Sequence, residues 1–239
     1  MLMRGSSHIL FLVFVRAAKR AMTKPETMSK SAAVIETLRE KIQHIPASPT
    51  QTNANFQIRM LLELSRINIA FDAALQSQNF EQSSSAKIIE DTNWHLVKPG
   101  VRWLTWVLKF ARRKPMQIAH TSNAFLWSYV FRKPFDKTNI GNSTKHHPTI
   151  AYDVTACPLQ AYYHSLDAPH VCRAAACQLD HRMADEWGVS FRRTQTLAEG
   201  ASRCDFRFHL KSQGVGGDAT PALKPQPKSL DTGPDGEGL

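Results

Sequence analysis

The chain has 239 residues, 42% of them hydrophobic, which is enough for one sizeable core without requiring a second domain. Its four cysteines, Cys157, Cys172, Cys177 and Cys204, lack the density of a small secreted disulfide scaffold, so they read as thiols with a chemical role or as small buried hydrophobes. The formal net charge of +10 is concentrated, because Lys98 to Lys145 holds ten Lys and Arg against one acid, Asp136.

An apolar run from His8 to Val15 opens the chain and is followed at once by Arg16, Lys19 and Arg20. A bilayer span takes about 20 residues, so this run is too short for an integral membrane segment. Basic residues where a signal peptide would be cut also argue against export and for a cytoplasmic protein. Residues 1–29 therefore read as an N-terminal extension, with Met22 or Met28 as the working start.

From 31 to 45 the apolar positions Val34, Ile35, Leu38, Ile42 and Ile45 fall at helical intervals until Pro46 and Pro49 stop them. The spacing predicts a second helix over 55–77, with Ile58, Leu61, Leu62, Leu64, Ile67 and Phe71 as its inner side. The serine-rich stretch 76–87 reads as a loop. After Pro99 and Gly100, positions Trp103, Trp106, Val107, Phe110 and Ala111 recur at helical spacing, which predicts a core face rimmed by Arg and Lys. The competing reading of the same basic, aromatic stretch is a surface that tracks a nucleic-acid backbone and stacks on bases. A further element covers 124–131.

From Thr149 the pattern turns to alternation. Ile150, Tyr152, Val154 and Ala156 share one face of a strand, and Pro158 then supplies a favoured first helical residue. This sets Cys157 at the N-cap, where unpaired N–H groups and the helix dipole favour a thiolate. The alternative is a cysteine that merely ends a strand. A helix over 170–187 follows, with Val171, Cys172, Ala175, Ala176, Leu179, Met183 and Trp187 as its apolar stripe. Cys172 reads as packing, while Cys177 and Asp180 share one flank at i, i+3. A carboxylate there is costly unless partnered, so Asp180 either faces a pocket with Cys177 or pairs with backbone or an Arg. Cys177 and His181 stand at i, i+4, but with no C-x-x-C knuckle the pattern does not amount to a zinc site, and no metal or cofactor is expected. Val189 to Leu197 and Cys204 to Leu210 then form the arms of a hairpin, turned at 199–202. Cys204 aligns with Phe206 and Phe208, as a core cysteine or as a pocket floor.

The expected fold is α+β, a helical N-terminal half packed on a small antiparallel sheet with a C-terminal β-hairpin. It forms one domain over 30–212, and the tail 213–239 is too polar to offset its ordering entropy.

Four blocks, Tyr152-Asp-Val-Thr-Ala-Cys-Pro158, Cys177-Gln-Leu-Asp180, Arg193-Thr-Gln-Thr-Leu-Ala-Glu-Gly200 and Cys204-Asp-Phe-Arg-Phe208, resemble in order and spacing those of the 2-aminothiazoline-4-carboxylic acid hydrolase family. The resemblance implies opening of a cyclic isothiourea ring by net addition of water at C2, on the route to cysteine. It also implies a small-molecule substrate; with no phosphate-cradling glycine loop or strong metal spacing no cofactor is expected, core packing is preferred over a nucleic-acid partner for the basic stretch, and a homo-oligomer is left open. On this reading Cys157, Cys177 and Asp180 are the catalytic candidates, with Cys157 as nucleophile and Asp180 pairing with the ring or acting as base. Arg193 and Cys204 are the substrate-binding candidates. The closing hairpin is also similar to that of 4-vinyl reductase domains, which keeps a non-catalytic small-molecule-binding or sensor module as the alternative.

Overall fold

The computed structural model describes residues 5–49, 54–140 and 149–211. The expected tail 213–239 lies outside the described residues.

The helical layer is built from α1 (Gly5–Ala21), the single turn α2 (Pro25–Met28), α3 (Ser31–Lys41), α4 (Phe56–Ser77) and α5 (Gln82–Phe110). Asn55 caps α4, its side-chain oxygen accepting the Ile58 N–H at 3.0 Å. Ile58, Leu62, Ile67, Phe71 and Leu75 of α4 are buried in one core with Val34, Ile35 and Leu38 of α3. Two buried amides in this core satisfy each other: Asn68 and Asn93 exchange hydrogen bonds between α4 and α5 at 3.1 and 2.7 Å.

Where the sequence sets 1–29 apart as an extension, α1 is packed into the same core. Phe14 is buried edge-on to Phe71 with ring centres 5.3 Å apart, and Ala18 and Met22 are also buried. The apolar run 8–15 thus winds round a packed helix, with Phe11, Phe14 and Val15 turned inward and Ile9, Leu12 and Val13 outward.

The predicted loop over 76–87 is shorter than expected, 78–81 alone, because from Gln82 the chain is already in α5, a helix of 29 residues that passes through Pro99. A run of Ser propagates a helix poorly, because its hydroxyls compete for backbone hydrogen bonds; here the first turns are carried by burial of Ser85, Ile88 and Ile89. The aromatic stripe on the same helix is not a core face. Trp103, Trp106 and Phe110 are 65%, 64% and 81% exposed. The inward stripe is Val101, Leu104, Thr105 and Leu108, also at helical spacing, so periodicity alone did not tell which of two apolar sides turns inward.

Pro115, a favoured N1 residue, opens α6 (Pro115–Phe125), and Gln117 accepts the Lys114 N–H at 3.0 Å. A π-helical turn (Leu126–Val130) follows. The sheet has the order β1-β2-β4-β3 and is antiparallel throughout, from β1 (Asp136–Asn139), β2 (Thr149–Ala156), β3 (Val189–Arg192) and β4 (Cys204–Leu210). Tyr152 lies opposite Phe206 and Val154 opposite Cys204, while Phe191 lies opposite Phe208. This face is covered by Ile118 and Ala119 of α6 and by Ala184 and Trp187 of α9 (Leu179–Trp187), forming a second core. Between β2 and α9 come α7 (Pro158–Ser165), α8 (Pro169–Cys172) and a π turn (Arg173–Cys177) that interrupts the predicted continuous helix. The expected architecture, a helical N-terminal region against a small open antiparallel sheet with C-terminal strands, is the one observed. The hairpin's first arm is shorter than predicted, ending at Arg192 and leaving Arg193 free of the ladder.

Candidate active site

Four loops and helix starts converge at one edge of the sheet: the end of β2, the π turn before α9, the segment after β3 and the start of β4. Each contributes a residue of the sequence-predicted set.

Cys157 follows directly on β2 and caps α7 in extended conformation, with Pro158 at the first helical position. Its sulfur accepts the Gln160 N–H at 3.5 Å, so the predicted N-cap geometry is present. Its electrostatic consequence is not. Burial pushes the thiol up to about 12, outweighing the hydrogen bond from Gln160. Cys157 is therefore a protonated thiol at neutral pH.

Cys177 behaves in the opposite way. On a regular α-helix residues i and i+5 point about 140° apart. A π turn closes hydrogen bonds from i to i+5, as Gln178 N–H does to Arg173 O at 3.0 Å, and so brings such residues over one another. Cys172 and Cys177 are related in this way, so their thiols lie side by side. The Cys172 thiol draws Cys177 below its ordinary value; burial opposes this and Arg193 adds to it. Cys172 is correspondingly held well above its ordinary value by Cys177 and by burial. The sequence assigned Cys172 to packing, and it is indeed buried; its partnership with Cys177 depends on a π turn that no periodicity reveals.

Asp180 lies in the first turn of α9. Arg193 donates from Nη1 to its Oδ2 at 2.7 Å and from Nη2 to the Cys177 carbonyl at 3.0 Å. The guanidinium stands 5.5 Å from the ring centres of both Phe191 and Phe206. Its side chain is 6% exposed and that of Asp180 19%. Burial raises Asp180 to about 6 despite Arg193. Burial also disfavours the Arg193 charge, but Asp180 and Cys177 outweigh it and hold the guanidinium above its usual range. Of the two expectations for Asp180, a pocket or an Arg partner, the geometry supplies the Arg.

Arg193 is aimed by a neighbour that the sequence did not single out. Asp205, on β4, accepts the Thr194 and Gln195 N–H groups at 2.9 Å each and the Thr194 hydroxyl at 2.7 Å. That pins the chain as it leaves β3. Cys204, one residue earlier, accepts the Leu197 N–H at 3.2 Å, and burial raises its thiol to about 11. Cys177 and Cys204 are both within electrostatic reach of the Asp180–Arg193 pair and of Cys157, so Cys157 joins the group through the other two thiols.

Behind them stands an aromatic wall. Tyr152 stacks on Phe206 at 4.9 Å and donates to Asn123 Oδ1 at 2.9 Å. Tyr152 also borders a cleft of about 690 Å³ between α6 and the β1–β2 pair, lined as well by Arg113, His120 and Lys137. His181 is turned outward, its ring 4.8 Å from that of Phe191. Among the described residues no three His, Cys, Asp or Glu side chains form a group able to hold a metal ion.

A partly exposed carboxylate near neutrality, an acidic thiol and two protonated thiols around one guanidinium suit nucleophilic attack with proton transfer on a small planar electrophile. Residues 107–208, a little under half of the chain, match the model of the L-2-amino-thiazoline-4-carboxylic acid hydrolase family. All four blocks that carry the resemblance fall inside this segment. No curated protein and no solved structure matches the chain.

Proposed function

We propose that the protein is a hydrolase that opens the ring of 2-aminothiazoline-4-carboxylate, or of a related small cyclic isothiourea or amidine, by cysteine-based catalysis. The observation that carries the reading is the largely enclosed Asp180–Arg193 ion pair beside the neighbouring thiols of Cys177 and Cys172, all within the segment that matches the hydrolase family.

In this reading Cys177, rather than Cys157, is the nucleophile, because its thiol is the one lowered from its ordinary value. The Cys177 thiolate adds to C2 of the ring. One ring bond to C2 breaks, and the departing ring atom takes a proton from the Cys157 thiol. The substrate is then joined whole to Cys177 through a new C–S bond. Asp180, ionised above about pH 6, removes a proton from water. The resulting hydroxide attacks the same carbon, Cys177 leaves as thiolate, and the proton on Asp180 returns to Cys157 through water. Net, one water is consumed. Arg193 holds Asp180 in place and offers its remaining N–H groups to the substrate carboxylate, with Cys204 as part of the binding floor. No cofactor is assigned a step. Thiol chemistry of this kind needs reduced cysteines, which fits a cytoplasmic setting.

The test is turnover of 2-aminothiazoline-4-carboxylate by the purified protein, with product followed by mass spectrometry. Ring-opened product from wild type, with at least a hundredfold loss in Cys177→Ser, is the expected result. Stoichiometric binding without turnover would favour the small-molecule-binding module instead.

A further inference from the structure

The outward stripe of α5 has no role in the proposed reaction. Trp103, Trp106 and Phe110 occupy i, i+3 and i+7 of one helix, are 65%, 64% and 81% exposed, and the last two rings stack with centres 6.0 Å apart. Three large aromatic side chains held in a row in water are unfavourable unless something covers them. Immediately beyond, Arg112, Arg113 and Lys114 are all exposed at the helix end, and Lys109 lies exposed on the rim. None of these four has an acidic partner among the described residues; Arg102, by contrast, is tied to Glu186 at 2.8 Å.

We infer that this face docks the protein on an anionic phospholipid surface. Trp and Phe favour the headgroup level of a bilayer, and neighbouring Lys and Arg find lipid phosphates there, which is the chemistry that places an amphipathic helix in the interface plane. Charge decides against a second copy of the chain as the occupant. Residues 98–114 contain no Asp or Glu, so a second copy of the stripe has no acid to meet Lys109, Arg112, Arg113 and Lys114 in either orientation. Among the described residues no helix is long and apolar enough to cross a membrane. Contact is therefore peripheral, with α5 kept folded by its opposite side.

The test is sedimentation of the full chain with vesicles of pure phosphatidylcholine and with vesicles containing one third phosphatidylglycerol. The expected result is binding to the anionic vesicles only, at least tenfold weaker in 0.5 M salt than in 0.1 M. Trp103→Ser/Trp106→Ser and Arg112→Glu/Arg113→Glu should each reduce it at least tenfold, with far-UV circular dichroism unchanged. No binding to anionic vesicles, or binding that both variants retain, overturns the inference. A concentration-dependent dimer that the Trp variant abolishes would assign the face to a second copy. Stripe-dependent binding of a single-stranded oligonucleotide, tighter than that of vesicles, would assign it to nucleic acid.

Discussion

Arg193 donates to Asp180 at 2.7 Å, and Asp180 nevertheless titrates near 6. Ordinarily a guanidinium at this distance lowers a carboxyl. Here burial is the larger influence, so the pair is held together without Asp180 being locked into its charged form. It can exchange a proton near neutrality while its geometry stays fixed.

The pH dependence of hydrolysis follows from this. Asp180 acts as base only when ionised, so kcat should rise with pH through an apparent value near 6. Asp180→Asn should lose that limb and at least a hundredfold in kcat. The stability contribution has the opposite sign. The folded carboxyl binds its proton more tightly than the unfolded one, so this group's contribution falls as pH rises from about 4 to about 6. Rate profiles and urea titrations across that window check both.

Thiol reactivity should separate the cysteines. With Cys157 pushed up to about 12 and Cys177 lowered, iodoacetamide at pH 7 should label Cys177 before Cys157. Cys172→Ala removes the thiol that lowers Cys177 and should slow labelling of Cys177 and shift its pH profile upward. Peptide mapping over time reads both effects. Faster labelling of Cys157 would return the nucleophile to the strand-end position.

Asp205 supports Arg193 from β4, and burial of its carboxyl is outweighed by hydrogen bonds from Thr194 and Gln195, which hold it below the usual range. Asp205→Ala leaves two N–H groups without their acceptor and should cost about 1–3 kcal/mol in urea unfolding. The cost should shrink as pH falls, because a depressed carboxyl contributes above its unfolded pKa and ceases to as it is protonated. Turnover should fall through loss of Arg193 alignment, with kcat affected more than KM.

Phe14 tests the place of α1 in the core. It is fully buried against Phe71, so Phe14→Ala should cost about 3–5 kcal/mol. Leu12→Ala, on the half-exposed side of the same helix, should cost well under half as much. Chemical denaturation of the two variants makes the comparison.

These residues also mark what the sequence could disclose. Strict alternation put Tyr152 with Val154 and Cys204 with Phe206 and Phe208, and the sheet has those faces. Pro158 after an alternating run located the Cys157 cap, since both signals are local. Whether a capped thiol becomes a thiolate is not local, because it depends on how much protein closes over it, and burial reversed that expectation. The Cys172–Cys177 contact needed a π turn, and the Arg193–Asp180 pair needed β3 to end early. Neither has a periodic signature. On α5 two apolar stripes compete, and only packing against the rest of the fold selects Leu104 and Thr105 over Trp103 and Trp106.

The most direct measurement is the intact mass and peptide map of Asp180→Asn protein after incubation with 2-aminothiazoline-4-carboxylate, once its near-UV circular dichroism shows a native fold. Without the base that activates water, the account predicts a protein adduct of one whole substrate mass, mapped to Cys177, while wild type releases ring-opened product. An adduct on another cysteine, or wild-type protein that forms neither adduct nor product, would contradict it.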